Sequence, residues 1–501
     1  MLRSCHQHRR LIARPLIWCV LVGVMLACGV FAPVASATAP NPPNTLTMAG
    51  YLGSPTLTAG SWTKYGNASN SYIRLKMKGS DPDAAETLTP FVEVIPSANT
   101  FAATCGVLGT GTFTGSATSA PNGGSVYNPY VNVYGLVSNT QYKWRACIVD
   151  STGATSSWVS YGTVPSFVTD FVVPTAGTPA WTSVSNATDQ YLSGTTLYFR
   201  YSTAGSAKIS LTASDTPSGI ASVTFPDFTA CGFSITGTTA SSPYEQTVSW
   251  AANSATSCSF ASIAVADSGG NSVSKTTPDI VPDGSAPSAS FYVSSASTPF
   301  TTSPTVTWSS ASDGGSGIAS EIIQRAWAPL VNGACGTYGS FATVSTVTAA
   351  NFATGSFTDS GLTGDRCYRY QMVMTDKVGN TQAVVCTSDF TGVDATAPTT
   401  AAITSPAHLA TVEGNGTVTF SVSAADGQSG VATIGLVVDG VVQTMTSASG
   451  ASVATTRSWS SAGATEGAHS IAVRVTDQAG NSLTGSAITV YTDKTAPTSA
   501  T

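Results

Sequence analysis

Charge is what this sequence most lacks. Of its 501 residues only 9% are Asp, Glu, Lys or Arg, against about 25% in an ordinary globular chain. Long amphipathic helices are built from Glu, Lys, Leu and Arg, so helix content should be very low. Ser, Thr, Gly, Ala and Val fill the space instead, a composition that disordered chains share. A hydrophobic content of 42%, recurring in runs of period two, argues for half-buried strands and against disorder.

Histidine is scarcer still. Two of the four lie in the first 37 residues, which leaves His408 and His469. No His-dependent triad or His-ligated metal can form before them. His469 opens a strand pattern (Ile471, Val473, Val475) and reads as a structural position. There is no C-x-x-C pair, phosphate-cradling loop, zinc-protease helix or nucleophile elbow. Acid pairs are the catalytic option left. Asp81 and Asp83, with Glu86 nearby, sit in a Pro-containing loop without an aromatic platform, so a solvated loop is expected rather than a glycosidase pair. Trp62, Trp158 and Trp181 could stack on sugar rings, although sandwich cores also absorb tryptophan.

Long apolar runs are missing, with one exception. Residues 16–32 are almost wholly apolar and follow Arg3, Arg9, Arg10 and Arg14. With the small-residue site Ala35-Ser36-Ala37 they make residues 1–37 a secretory signal peptide. Rival readings are a lipoprotein site at Ala27-Cys28, whose preceding residues fit poorly, and a retained signal anchor. Removing the segment takes four Arg and no acid, leaving 16 basic and 26 acidic residues and a net charge of −10. Neither nucleic acid nor anionic membrane suits such a surface, and no later stretch could insert into a bilayer. The expected partner is a protein or glycan at the cell surface, with the chain extracellular or on that surface.

What is present is punctuation. The string D-x-x-G-N closes residues 267–271, 376–380 and 477–481, with a worn copy at Asp150-Ser151-Thr152-Gly153-Ala154. Each lies between alternating strands, where Asp bonds its own turn and Gly supplies positive φ. The four Asp are 117, 109 and 101 residues apart, the length of one β-sandwich. Each copy is followed by D-x-x-x-P, beginning at Asp170, Asp283, Asp394 and Asp493, where Pro stops pairing and one domain gives way to the next. A third signal opens at Asp215, Asp313 and Asp426. The expected order is a signal peptide at 1–37, then sandwiches at 38–173, 174–286, 287–397 and 398–493, with 494–501 beginning a further linker or repeat. The linkers are short, which suggests restricted hinges. Four sandwiches end to end give a radius of gyration of about 45 Å, against about 22 Å for one globule.

Two stretches carry a family resemblance. Leu136-Val137-Ser138-Asn139-Thr140-Gln141-Tyr142-Lys143-Trp144 resembles the fibronectin type III signature, and Leu362 and Tyr368 repeat its spacing. Ser405-Pro406-Ala407, Val438-Asp439-Gly440 and Ala468-His469-Ser470 resemble bacterial immunoglobulin-like repeats. Together the units look like the tandem repeats of bacterial secreted and cell-surface proteins. The resemblance implies an all-β fold of tandem immunoglobulin-like and fibronectin III-like sandwiches in an extended array; it says almost nothing about activity, and the expectation of no enzyme comes from the missing catalytic motifs. A structural stalk or adhesin-like binding array is the function expected. An accessory region of a secreted carbohydrate-active or other hydrolase and a carbohydrate-binding array are the alternatives.

Seven cysteines follow the signal, in an oxidising setting. They fall by domain as Cys105 with Cys147, Cys231 with Cys258, and Cys335 with Cys367, and Cys386 is left over. Alternation turns Cys147 and Cys367 away from the inner faces of their strands, so their bridges should staple one sheet to its own edge, unlike the usual inter-sheet bridge. Cys386 reads as a buried thiol or an intermolecular link.

No cofactor motif is present, and calcium is the one cation the pattern points to. In a sandwich of this topology the linker and two of the loops meet at one end. That would gather Asp170, Asp215 and Asp267; Asp283, Asp313 and Asp376; and Asp394, Asp426 and Asp477. Three carboxylates with turn carbonyls and water suit calcium. The competing reading is that each Asp caps its own turn, and every one sits where an Asx turn would use it.

Overall fold

Alternating sequence becomes alternating burial throughout. In the strand Ile73–Lys78 the residues Ile73, Leu75 and Met77 are buried and the intervening ones are not. The same period organises Thr417–Ala425 through Val418, Phe420, Val422 and Ala424. The computed structural model describes residues 37–50, 56–65, 71–83, 85–119, 128–236, 241–257, 259–293, 300–386, 391–496 and 498. Residues 1–36 of the expected signal peptide, and Cys258, lie outside them. Regular structure is almost entirely strand. The helical turns among the described residues are the 3-10 segments Ala187–Asp189, Thr229–Cys231 and Ala349–Asn351.

The chain divides into two units, Met1–Phe171 and Val172–Thr501. In the first, one sheet orders Thr56–Leu57, Asn44–Ala49, Ile73–Lys78 and Tyr130–Val133. The facing sheet runs Ser61–Thr63, Phe167–Thr169, Thr140–Val149, Thr87–Pro96 and Thr112–Thr114. Met48, Leu75, Val131 and Val133 from one meet Val92, Tyr142, Trp144 and Phe167 from the other. Each such side chain contributes about 1.5–3 kcal/mol by leaving water. The phenolic oxygen of Tyr142 accepts the Val137 N–H at 2.9 Å, bracing the corner that Leu136 packs beneath.

The second unit holds three further cores. The first gathers Trp181, Phe199, Ile209, Phe228, Trp250 and Val265. Phe291, Trp308, Tyr368, Tyr370 and Met372 form the next. The last contains Phe420, Leu436, Trp459, Ile471 and Val490. A glycine faces a tryptophan across two of these sheets. Gly205 pairs with Trp250, where a Cβ would lie 2.6 Å from the indole, and Gly355 pairs with Trp308 in the same way. The ring covers backbone that a larger residue would push away. Trp181 is no sugar platform. It is buried, and its indole N–H donates to the carbonyl of Pro278 at 3.1 Å. Trp62 and Trp158 are half-buried, and the Arg145 guanidinium lies over Trp158 at 4.4 Å.

Neither described disulfide crosses between the two sheets of its sandwich: one joins two strands of a sheet, the other a strand to the turn beyond its neighbour. Cys335 and Cys367 lie on strands that flank Ile318–Val331. Cys147, opposite Phe91, reaches Cys105 in the segment beyond Thr87–Pro96. Cys367 packs with Ala328 and Leu330 outside the main core. Cys231 is disulfide-bonded, and Cys386 is a buried thiol.

Candidate metal centres

The D-x-x-G-N turn is built from its first and last residues. Asp376 ends the strand Arg366–Asp376, and its Oδ1 accepts the backbone N–H of Val378 at 2.9 Å and of Asn380 at 2.8 Å. Gly379 takes the positive φ of 92° that closes the turn. The Asn380 amide donates to Asp376 Oδ2 at 2.7 Å and to the carbonyl of Asp283 at 3.1 Å. Asp477 and Asn481 repeat this on Asp394, with amide bonds of 2.9 and 3.1 Å. The Asn is therefore the residue that ties each turn to the linker.

The second loop is an Asx turn of its own. Asp313 Oδ2 accepts Gly315 N–H at 3.0 Å and Gly317 N–H at 2.7 Å. Asp426 Oδ2 accepts Gln428 N–H at 3.2 Å and Gly430 N–H at 2.6 Å. Backbone bonds fasten the two loops together, Lys377 N–H to Gly317 O at 2.9 Å and Gln478 N–H to Gly430 O at 3.0 Å. The linker Asp then docks on this pair. Asp283 Oδ2 accepts Ser316 N–H at 2.7 Å, and Asp394 Oδ2 accepts Ser429 N–H at 3.0 Å. A side chain at position 315 would run into the Asp283 carboxylate.

These bonds bring three carboxylates to one place twice in the second unit. One oxygen each from Asp283, Asp313 and Asp376 lies within 4.8 Å of the others, and Asp394, Asp426 and Asp477 do the same. Asp313 Oδ1 and Asp426 Oδ1 are buried without a hydrogen-bond partner, as are the hydroxyls of Ser316 and Ser429 beside them. Burial above all, with the charge of Asp283 behind it, raises the Asp376 carboxyl above the usual range despite the bonds from Asn380 and Val378. Burial and then the charge of Asp394 raise Asp477 in the same way. Oxygen donors alone, without nitrogen or sulfur, match a hard cation such as calcium.

Asp170 closes the first unit, fully buried, its N–H donating to Thr63 O at 2.9 Å. In the second unit Asp215 Oδ2 accepts Gly219 N–H at 3.0 Å, and Asp267 Oδ1 accepts Asn271 N–H at 2.8 Å. In the loop of Asp81, Pro82 and Ala85 are exposed, but Asp81 itself is not solvated: it is 1% exposed, and together with Glu86 it meets Asp150. Asp150 belongs to the worn copy of the turn, the one signal that pointed there. Burial, then the charges of Asp150, Asp81 and Asp83, raise the Glu86 carboxyl. His469 is a structural residue. Its Nδ1 lies 2.7 Å from Asp439 Oδ2 and its Nε2 2.7 Å from Thr465 O, and its ring packs on Trp459.

Comparison with known proteins bears on the same units. Residues 400–473 match the profile of the bacterial Ig domain family. Exoglucanase B of Cellulomonas fimi is 31% identical over 250 residues, covering 50% of this chain and 20% of that protein. The chain thus matches only a fifth of that relative's length. Fibronectin(III)-like modules of Clostridium thermocellum CbhA are 18% identical over 40% of this chain and 94% of theirs, with a TM-score of 0.21. A bacterial ice-binding adhesin is 20% identical over 64% of this chain and 99% of its own, with a TM-score of 0.29. Both TM-scores are low, and the fold rests on the strand pairings described above. The chain is a tandem array of immunoglobulin-like and fibronectin III-like β-sandwiches, of which residues 400–473 match the bacterial Ig domain.

Proposed function

We propose that this chain is an exported structural spacer or adhesin-like array of a bacterial surface, with calcium fixing the junctions of its second unit. The observation that carries the reading is the double use of each linker Asp. Asp283 and Asp394 give a carboxylate to one loop of the following sandwich and a carbonyl to the other. A linker bonded at both of its acceptors resists bending, which a spacer needs and a free tether does not. Direct contacts support the same end. Lys377 Nζ reaches Tyr191 OH at 3.1 Å, and Asn332 N–H donates to Gly427 O at 2.9 Å.

Spin labels attached through non-cysteine chemistry at exposed Thr343 and Ser458 test this by their distance distribution. A narrow distribution in calcium that broadens on chelation is expected. A narrow one in both conditions keeps the spacer and removes the calcium. A distribution equally broad in both overturns the reading.

The identity with part of an exoglucanase favours a second reading, an accessory region of a secreted polysaccharide hydrolase. Saturable retention of the mature chain on insoluble cellulose or on a glycan array would move the assignment there.

A further inference from the structure

The first unit carries another convergence of carboxylates, assembled without any linker. Asp81 lies beyond the strand Ile73–Lys78, Glu86 immediately before Thr87–Pro96, and Asp150 immediately after Thr140–Val149. The last two strands are neighbours in one sheet, with Thr89 opposite Val149, and Ile73–Lys78 belongs to the facing sheet. One carboxylate oxygen from each residue lies within 4.8 Å of the others.

The bonding of each acid shows which oxygens are left over. Asp81 Oδ1 accepts the Asp83 N–H at 2.8 Å. Asp150 Oδ1 accepts the Thr152 N–H and hydroxyl, both at 2.8 Å, and the Ala154 N–H at 2.9 Å. The turns are thereby satisfied through Oδ1 alone. Asp81 Oδ2, Asp150 Oδ2 and Glu86 Oε2 are all buried and have no hydrogen-bond partner. Asp81 and Asp150 are 1% and 5% exposed, so water does not solvate them from outside. Turn capping explains half of each Asp and nothing of Glu86.

We propose that Asp81, Glu86 and Asp150 hold a hard divalent cation, calcium, at this end of the first unit. A single calcium sits about 2.4 Å from each oxygen, so its ligands stand at most about 4.8 Å apart. The three acids satisfy that limit. Three negative charges at one buried point repel one another unless a cation joins them. All donors are oxygen, which selects calcium or magnesium over zinc. Calcium, with six to eight flexible ligands, tolerates the unequal reach of two Asp and one Glu better than octahedral magnesium. Glu86 supplies from its own loop the third carboxylate that Asp283 or Asp394 brings from a linker in the second unit. The site is complete within one unit, and it stands whether or not calcium occupies the second.

Calcium bound per molecule of the full mature chain, measured by equilibrium dialysis in the wild type and in Glu86→Gln, tests the proposal. Loss of one equivalent in Glu86→Gln is expected, with near-ultraviolet circular dichroism unchanged. Asp81→Asn, which retains an oxygen for the turn, should lose the same equivalent. Asp313→Asn and Asp426→Asn, made in parallel, report on the second unit alone, so failure there leaves the first-unit result readable. Unchanged calcium binding in both Glu86→Gln and Asp81→Asn at millimolar calcium overturns the proposal.

Discussion

Asn481 reaches back 87 residues: its side-chain amide donates to the carbonyl of Asp394 at 3.1 Å while also holding Asp477 Oδ2 at 2.9 Å. Asn380 repeats the pair of bonds on Asp283 and Asp376 at 3.1 and 2.7 Å. A side chain one atom shorter or lacking the amide hydrogens cannot make both. The last residue of D-x-x-G-N thus serves the turn and the junction at once.

Asn481→Ala should therefore loosen a junction without unmaking its hairpin. Removing both amide bonds leaves a buried carboxylate oxygen and a carbonyl unsatisfied, a cost of about 1–3 kcal/mol. Hydrogen exchange should accelerate at Ser429, whose N–H bonds the docked Asp394, and remain slow in the strand Gly467–Asp477. Equal acceleration at both would mean that the turn, not the junction, had failed.

The pair His469 and Asp439 makes the fourth core sensitive to pH. Burial pulls the imidazole down, but the bonds to Asp439 and Thr465 and the Asp439 charge outweigh it, so its titration lies above the ordinary 6.5. Asp439 is held below its ordinary 3.8: burial opposes this, and the bonds from His469 and Ser470 overcome it. A raised imidazole stabilises fully below its unfolded value, and that contribution is lost as pH rises through the folded one. The carboxylate's contribution is present above its unfolded value and lost as pH falls through its folded one. Stability of this core should peak between the two and decline towards alkaline pH. With only His408 and His469 after residue 37, an imidazole NMR titration reads the shift directly. Asp439→Asn should return it towards the ordinary value.

Glu321 works in the opposite sense. It is 0% exposed, neither carboxylate oxygen has a partner, and burial lifts its titration to about 7. A carboxyl raised on folding binds its proton more tightly in the native state, so stability falls as pH rises from the unfolded value near 4.5 to about 7. Glu321→Gln should remove this slope and raise the melting temperature above neutral pH. A variant that melts as the wild type does across that range would contradict the assignment.

Turns and strands were legible because local chemistry sets them. Gly379 and Gly480 need positive φ wherever the chain puts them, and alternation assigned Cys147 and Cys367 to the outer sides of their sheets. What could not be read was burial decided by distant partners. Asp81 looks like any polar loop residue until Asp150, 69 residues later, arrives beside it. Trp181 alternates like Trp62, and it is the approach of distant residues, Phe228 and Pro278 among them, that encloses it. Glu321 sits where a register shift between Ile318 and Ser320 resets the inward face, and no local pattern marks that bulge.

Cysteine chemistry gives a count. The chain from residue 38 onward, denatured without reductant, should expose one titratable thiol, that of Cys386. Three, or none in a monomer, would require different pairing. Cys335→Ala with Cys367→Ala opens a loop with a sequence separation of 32 and should cost roughly 3–4 kcal/mol in the chain-entropy picture. Reversible denaturant unfolding measures it.

Calcium in the second unit can be separated from turn capping by substitutions that spare the cap. Asp313 and Asp426 each hold their turn through Oδ2 and leave Oδ1 without a partner. Asn in either place keeps one oxygen for the turn and removes the charge. If the three acids meet only because three turns happen to end together, Asp313→Asn changes stability in the same direction with or without calcium. If they hold an ion, the ordering inverts. Relief of repulsion should make Asp313→Asn and Asp426→Asn melt above the wild type in EDTA. Loss of a ligand should make them melt below it in millimolar calcium, because only the wild type gains the binding free energy. Calorimetric scans of the three proteins in both buffers decide the matter, and parallel ordering in the two would leave turn capping as the whole explanation.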